Sequence, residues 1–154
     1  GQAVKRAQSL KSGAVIVTDT NMGLSGINKK AVRLGGEAFC FMADEIALQA
    51  KEQGTTRAVA SMEKAARLYG LQGRPLIFAV GNAPTALVRI YELIEEGLAV
   101  LLVIGVPGDS VIVVQSKELI LTLEDTPYIV ARGRKGGSNV AAAICNALLY
   151  QIPV

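Results

Sequence analysis

The side chains whose types and spacing could do chemistry fall in a few short polar segments. The most distinctive is 133-GRKGGS-138. Its glycines permit positive φ and let a ligand approach backbone N–H groups closely. Arg134, Lys135 and the start of an Ala-rich helix at Ser138 and Asn139 all favour negative charge. The spacing is neither that of a P-loop nor GxGxxG, so a nucleotide is not the anion indicated. The same residues would also serve as an exposed basic turn whose glycines meet only the geometry of a tight strand-to-helix connection.

Three other segments compete for attention. In 18-TDTNM-22, two hydroxyls, a carboxylate and an amide from Thr18, Asp19, Thr20 and Asn21 fall in four consecutive positions. They either fix a polar ligand by several hydrogen bonds or form Asx turns that cap the next element. In 81-GNAPTAL-87, Asn82 reads as a helix N-cap with Pro84 in the first turn, and the helix N-terminus near Thr85 offers N–H groups on which a carboxylate could dock. The segment 105-GVPGDS-110 reads as a turn by its Pro107–Gly108 pair, either a flexible edge of a pocket or, more commonly, a simple connection. Arg57, one position after the Thr55–Thr56 cap of a helix, lies where the helix dipole disfavours a cation, which suggests either an outside anion or a solvated surface arginine.

These segments need a frame, and the chain has one. Short runs rich in Val, Ile and Phe at 14–19, 37–42, 75–81, 99–105 and 128–133 predict strands covered on both faces. They alternate with helical patterns at 27–34, 43–54, 56–70, 82–97 and 139–150, with Gly54, Gly70 and Gly97 as helix stops. Residues 110–123 mix β-branched residues with SKELIL and are read as helix from about Val113, since a parallel crossover is needed there. The pattern is that of a single α/β domain spanning 1–154, with a largely parallel sheet. Ligands of such sheets bind beyond the carboxyl ends of the strands, where the polar segments lie.

With 51% hydrophobic and 19% charged residues, the chain is expected to be globular, and a formal charge of +3 spread among acids does not favour a nucleic-acid partner. Cys40 and Cys145 stand far apart in apolar runs and there is no histidine, which points to reduced thiols and not to a zinc site or a disulfide framework. No run has the length of a membrane span and the first residues are not those of a signal peptide, so a cytoplasmic location is expected. A chain opening on Gly1 is expected of a processed or truncated product.

Taken in order, TDTNM at 18–22, GTTR at 54–57 followed by SM, AVGNAPTAL at 79–87, VIGVP at 103–107, SKE at 116–118 and GRKGGSNVAAA at 133–143 followed by NALL resemble the precorrin-8X methylmutase family, called cobalt-precorrin-8 methylmutase in the anaerobic route. The resemblance runs from about Lys11 to Leu149. It implies an αβα sandwich, a homodimer, and an isomerase of corrin-ring biosynthesis that moves a methyl group from ring carbon C-11 to C-12 without a separate organic cofactor. It further implies that Arg57, Arg134 and Lys135 bind substrate carboxylates, and that Thr18, Asp19, Thr20, Asn21, Asn82, Thr85 and Ser138 line the ring site.

Two departures stand beside it. The family places its catalytic histidine in a further N-terminal segment, so these residues are expected to begin after that region and to give little methyl migration alone. In 106-VPGDSVIVVQSK-117, Gly108, Asp109 and Ser110 replace an apolar loop and Gln115 replaces a glutamate. The rival expectations are a non-catalytic corrinoid-binding or carrier homologue and a structural domain that uses its basic turn only for assembly.

Overall fold

The computed structural model describes residues 15–27, 37–41, 50, 52, 54–70, 73, 74, 76–108, 111–131 and 136–149. Five parallel strands, β1 (Val15–Thr18), β2 (Glu37–Cys40), β3 (Leu76–Val80), β4 (Leu102–Gly105) and β5 (Tyr128–Val130), form one sheet in the order β2-β1-β3-β4-β5. The described helices are α1 (Asn21–Gly26), α2 (Arg57–Ala65, prolonged by a π-helical turn at Ala66–Gly70), α3 (Pro84–Glu95), α4 (Val111–Ile120) and α5 (Ser138–Leu149).

The strand runs are apolar throughout because alternate side chains enter two different cores. Val15, Val17, Leu76, Phe78, Val80 and Val103 face one way and meet Met62, Ala65, Leu87, Ile90 and Ile120 of α2, α3 and α4. Ile16, Ile77, Ala79, Leu102 and Ile104 face the other way and meet Ala141, Ala142, Cys145 and Leu148 of α5, with Ile27 just after α1. The result is the three-layer αβα sandwich that the resemblance implies. Burial pushes the Cys145 thiol up to about 12, so it packs as a small apolar group. No helix among the described residues is long and apolar enough to cross a membrane.

Three details depart from the sequence reading. The segment after β1 is helical at Asn21–Gly26, although NMGLSG contains two glycines and no apolar period. Tertiary contacts hold it: Asn146 Nδ2 donates to the Gly26 carbonyl at 2.8 Å, and a Cβ on Gly26 would stand 2.7 Å from that of Ala142. Gly97, after α3, has the left-handed φ of a helix stop at +110°, and Gly54 is also left-handed at +77°, but Gly70 is not. It lies within the π-helical turn and makes room for Leu98, whose Cδ1 would be 2.8 Å from an added Cβ, and the left-handed residue is Gly73 at φ +68°. The ambiguous stretch 110–123 is helical from Val111, slightly earlier than expected. The helices expected at 27–34 and 43–54 fall almost wholly outside the described residues.

Candidate functional site

The chain leaves β1 towards the α1–α5 face and leaves β3 towards the α2–α4 face. A sheet whose neighbouring strands diverge in this way opens a crevice between their carboxyl ends. Asp19, the first residue after β1, spans this point. Its side chain is 1% exposed. Oδ1 accepts from the N–H of Gly81 at 2.9 Å, and Oδ2 accepts from Asn82 at 2.9 Å and Ala83 at 2.7 Å. Helix α3 begins at Pro84 with Ala83 as its N-cap, and alanine has no side chain with which to cap. The strand next door supplies the acceptor instead, as a charge favoured by the positive end of the helix.

This arrangement corrects two expectations. Asn82 is not the cap of α3, so its side chain is released and stands exposed at the crevice. The N–H groups of Gly81, Asn82 and Ala83, which lead into α3, are also no dock for an outside carboxylate, because Asp19 already occupies them. Burial raises the Asp19 carboxyl above its ordinary range, and the amide bonds from Gly81, Ala83 and Asn82 act against that rise.

Around Asp19 the other residues of 18–21 divide. Thr18 is 1% exposed and its hydroxyl donates to the Thr20 carbonyl at 2.9 Å. Thr20 is the N-cap of α1, its Oγ1 accepting from Gly23 N at 2.9 Å and sharing a 2.8 Å hydrogen bond with Ser138 Oγ. Asn21 is exposed. Thr20 and Ser138 therefore tie α1 to the first turn of α5 and face the crevice, whereas Thr18 and Asp19 lie behind it.

The crevice is a cleft of about 490 Å³, within the range of small-molecule sites. Its side chains are Thr20, Met22, Asn82, Ser138 and Asn139, and the rest of its wall is glycine at 81, 108, 136 and 137. The first turn of α5 borders it with N–H groups that have no partner within the helix. Backbone here packs on backbone. Gly137 N donates to the Val106 carbonyl at 2.6 Å, and Val106 N donates to that of Val80 at 2.9 Å. A Cβ on Gly136 would lie 1.8 Å from the Val106 oxygen, and one on Gly81 would lie 2.5 Å from Ser138 Cα. The glycines thus serve an approach to the protein's own chain as well as a boundary to the cleft. Arg134 and Lys135, with Gly133, Asp109 and Ser110, lie outside the described residues.

Arg57 and Thr85 form a second group on the other side of the sheet. Thr56 caps α2 by accepting from Val59 N at 3.2 Å, and its Oγ1 is 3.4 Å from that of Thr85, in the first turn of α3. Arg57 is exposed beside them, and none of the ion pairs among the described residues involves it. The described members of the expected site therefore fall in two clusters at the carboxyl ends of the strands. Gly108 brings to the cleft the 105–110 turn, one reading of which is a pocket edge, while Met22 and Asn139 join it as residues that the sequence does not mark as lining. Of these two, only Asn139 carries a signal, its place beside Ser138 at the start of a helix. A larger hollow of about 730 Å³ lies at the other edge, between Tyr91–Val100 and Thr122–Thr126, away from the strand ends where the polar clusters meet.

Comparison with known proteins agrees with this fold. Residues 1–151 match the family model described as precorrin-8X methylmutase. The cobalt-precorrin-8 methylmutase of Leptospira interrogans is 44% identical over 150 residues, which cover 92% of this chain and 67% of that protein. That of Salmonella typhimurium is 44% identical over 146 residues, covering 94% and 66%. The chain thus spans about two thirds of the length of these relatives. A crystal structure of precorrin-8X methyl mutase from Thermus thermophilus superposes with a TM-score of 0.83 at 33% identity, covering 96% of this chain and 72% of that one.

Proposed function

The chain belongs to the precorrin-8X methylmutase family, and from that membership we propose that its cleft binds a corrin-ring precursor for isomerisation, in which a methyl group migrates from C-11 to the neighbouring C-12. The observation that carries the reading is the family match over residues 1–151. The two relatives at 44% identity are named for the cobalt form, which favours cobalt-precorrin-8 over its metal-free counterpart.

The geometry supports this reading through the chemistry of such a ligand, an extended ring edged with acetate and propionate carboxylates. Thr20, Asn21, Asn82 and Ser138 offer hydroxyls and amides that donate and accept around a ring edge. Arg57, Thr85, Arg134 and Lys135 are assigned to the peripheral carboxylates, with the first turn of α5 adding its positive end. Asp19 is a positioning residue that ties the end of β1 to the segment after β3, Thr18 fixes the turn at Thr20, and neither touches the ring. A homodimer belongs to the same reading, since both edge strands β2 and β5 remain partly exposed and the chain is 51% hydrophobic.

The test is a visible-absorption titration with hydrogenobyrinate or its cobalt counterpart. Arg57→Ala and Arg134→Ala should each weaken binding about tenfold or more, the loss expected of one charge-assisted hydrogen bond. Light scattering of the same samples should give the dimer mass. Unchanged affinity in both variants would remove the arginines from the site, and a monomer mass would remove the dimer.

A further inference from the structure

We propose that Met22 is the apolar platform of the cleft, a positioning residue on which one face of the bound ring rests; this depends on the corrinoid reading above. Met22 is 64% exposed, whereas the other exposed large hydrophobic side chains among the described residues, Leu68, Tyr128 and Val140, are 37–39% exposed. A single apolar side chain on a surface needs no explanation. Met22 differs by its place: every other residue lining the cleft is a glycine or carries a hydroxyl or an amide.

The helix that carries it is anchored at both ends. Met22 sits in the first turn of α1, a helix tied at its start by the Thr20 cap and the Thr20–Ser138 bond, and at its end by Asn146 on the Gly26 carbonyl. A polar wall with one apolar side chain on an anchored helix matches a ligand with a polar rim and an apolar face. An unbranched thioether suits that face, because it is flexible and polarisable and adapts to an irregular surface. The hydroxyls and amides then take the rim while Met22 sets the height of the ring above the strand ends.

The experiment follows Met22 oxidation by hydrogen peroxide, read by mass spectrometry with and without saturating hydrogenobyrinate. Met62, which is 0% exposed, provides the internal reference. Bound ring should slow Met22 sulfoxide formation and leave Met62 slow in both states. Met22→Ala should weaken binding about tenfold, the loss expected when most of one apolar side chain is no longer buried, and Met22→Leu should restore most of it. If the absorption titration shows binding while Met22 is neither protected nor needed for affinity, the platform is overturned and the corrinoid reading stands. Lost affinity in Met22→Ala without protection of the wild-type side chain also overturns the contact. If no ring binds at all, the platform falls together with the reading it depends on.

Discussion

Gly136→Ala is expected to be the most damaging single methyl addition around the cleft. The new Cβ would meet the Val106 oxygen at 1.8 Å, its carbonyl carbon at 2.6 Å and the Pro107 oxygen at 2.8 Å, and all three are backbone atoms that cannot swing aside. The residue also has φ +156°, in the region that L side chains rarely adopt. Relief requires the start of α5 to move off the end of β4, breaking the 2.6 Å bond from Gly137 N to Val106 O. The expected loss is about 4 kcal/mol or more of stability, in the range reserved for strain plus a broken buried contact, together with loss of ring binding. Gly137→Ala is the control, because φ is +135° there but no atom lies within 4 Å of the added Cβ. It should lose only the backbone strain, about 1–3 kcal/mol. Urea unfolding of the two variants decides the matter, and equal losses would contradict the packing described for Gly136.

The second large effect is at Asp19. Asp19→Ala leaves the N–H groups of Gly81, Asn82 and Ala83 without their acceptor. Unmet buried donors cost about 1–3 kcal/mol each, and water can reach the partly buried pair, so a total of about 3–5 kcal/mol is expected. Asp19→Asn keeps one acceptor oxygen but turns an NH₂ towards an N–H, and should lose less. The pH dependence has a definite sign. Because burial raises the Asp19 carboxyl in the folded state, the native protein holds this proton more tightly than the unfolded chain does. That contribution is fully present below the ordinary value of 3.8 and is lost as pH rises through the raised folded value. Across this window, the wild-type protein should therefore gain less stability with rising pH than Asp19→Asn. Urea midpoints at a series of acidic pH values measure the difference, and parallel slopes would contradict it.

How much of this was legible in the sequence depends on where the cause of each feature lies. The five strands could be read because both faces of the sheet are covered, which leaves near-continuous apolar runs such as 76-LIFAV-80. Helix α1 could not, since NMGLSG becomes helical through its cap at Thr20 and its docking on α5. The role of Asp19 was hidden for a related reason. Its first partner, Gly81, is 62 residues away, and an acceptor at the end of one strand says nothing of which amides it will meet. One clue was present: Pro84 in the first helical position makes Ala83 the N-cap, and a helix start without its own acceptor needs one from elsewhere. Asn82 has the better capping side chain, but Pro84 at the first helical position leaves it one residue too early to cap. The glycines of 133–137 were legible as a tight strand-to-helix turn, but that Gly136 makes room for Val106 could be known only once β4 and α5 were placed together.

The central claim, that the cleft between the ends of β1 and β3 is where a corrin ring binds, is tested most directly by titrating the protein with hydrogenobyrinate beside a variant in which that cleft is filled. Asn139→Trp serves, because Asn139 is exposed on the first turn of α5 and lines the cleft. The account predicts a saturable change in the visible spectrum of the ring with the wild-type protein, and no such change with Asn139→Trp at an unaltered melting temperature. A ring that binds both proteins equally, or neither, would contradict it.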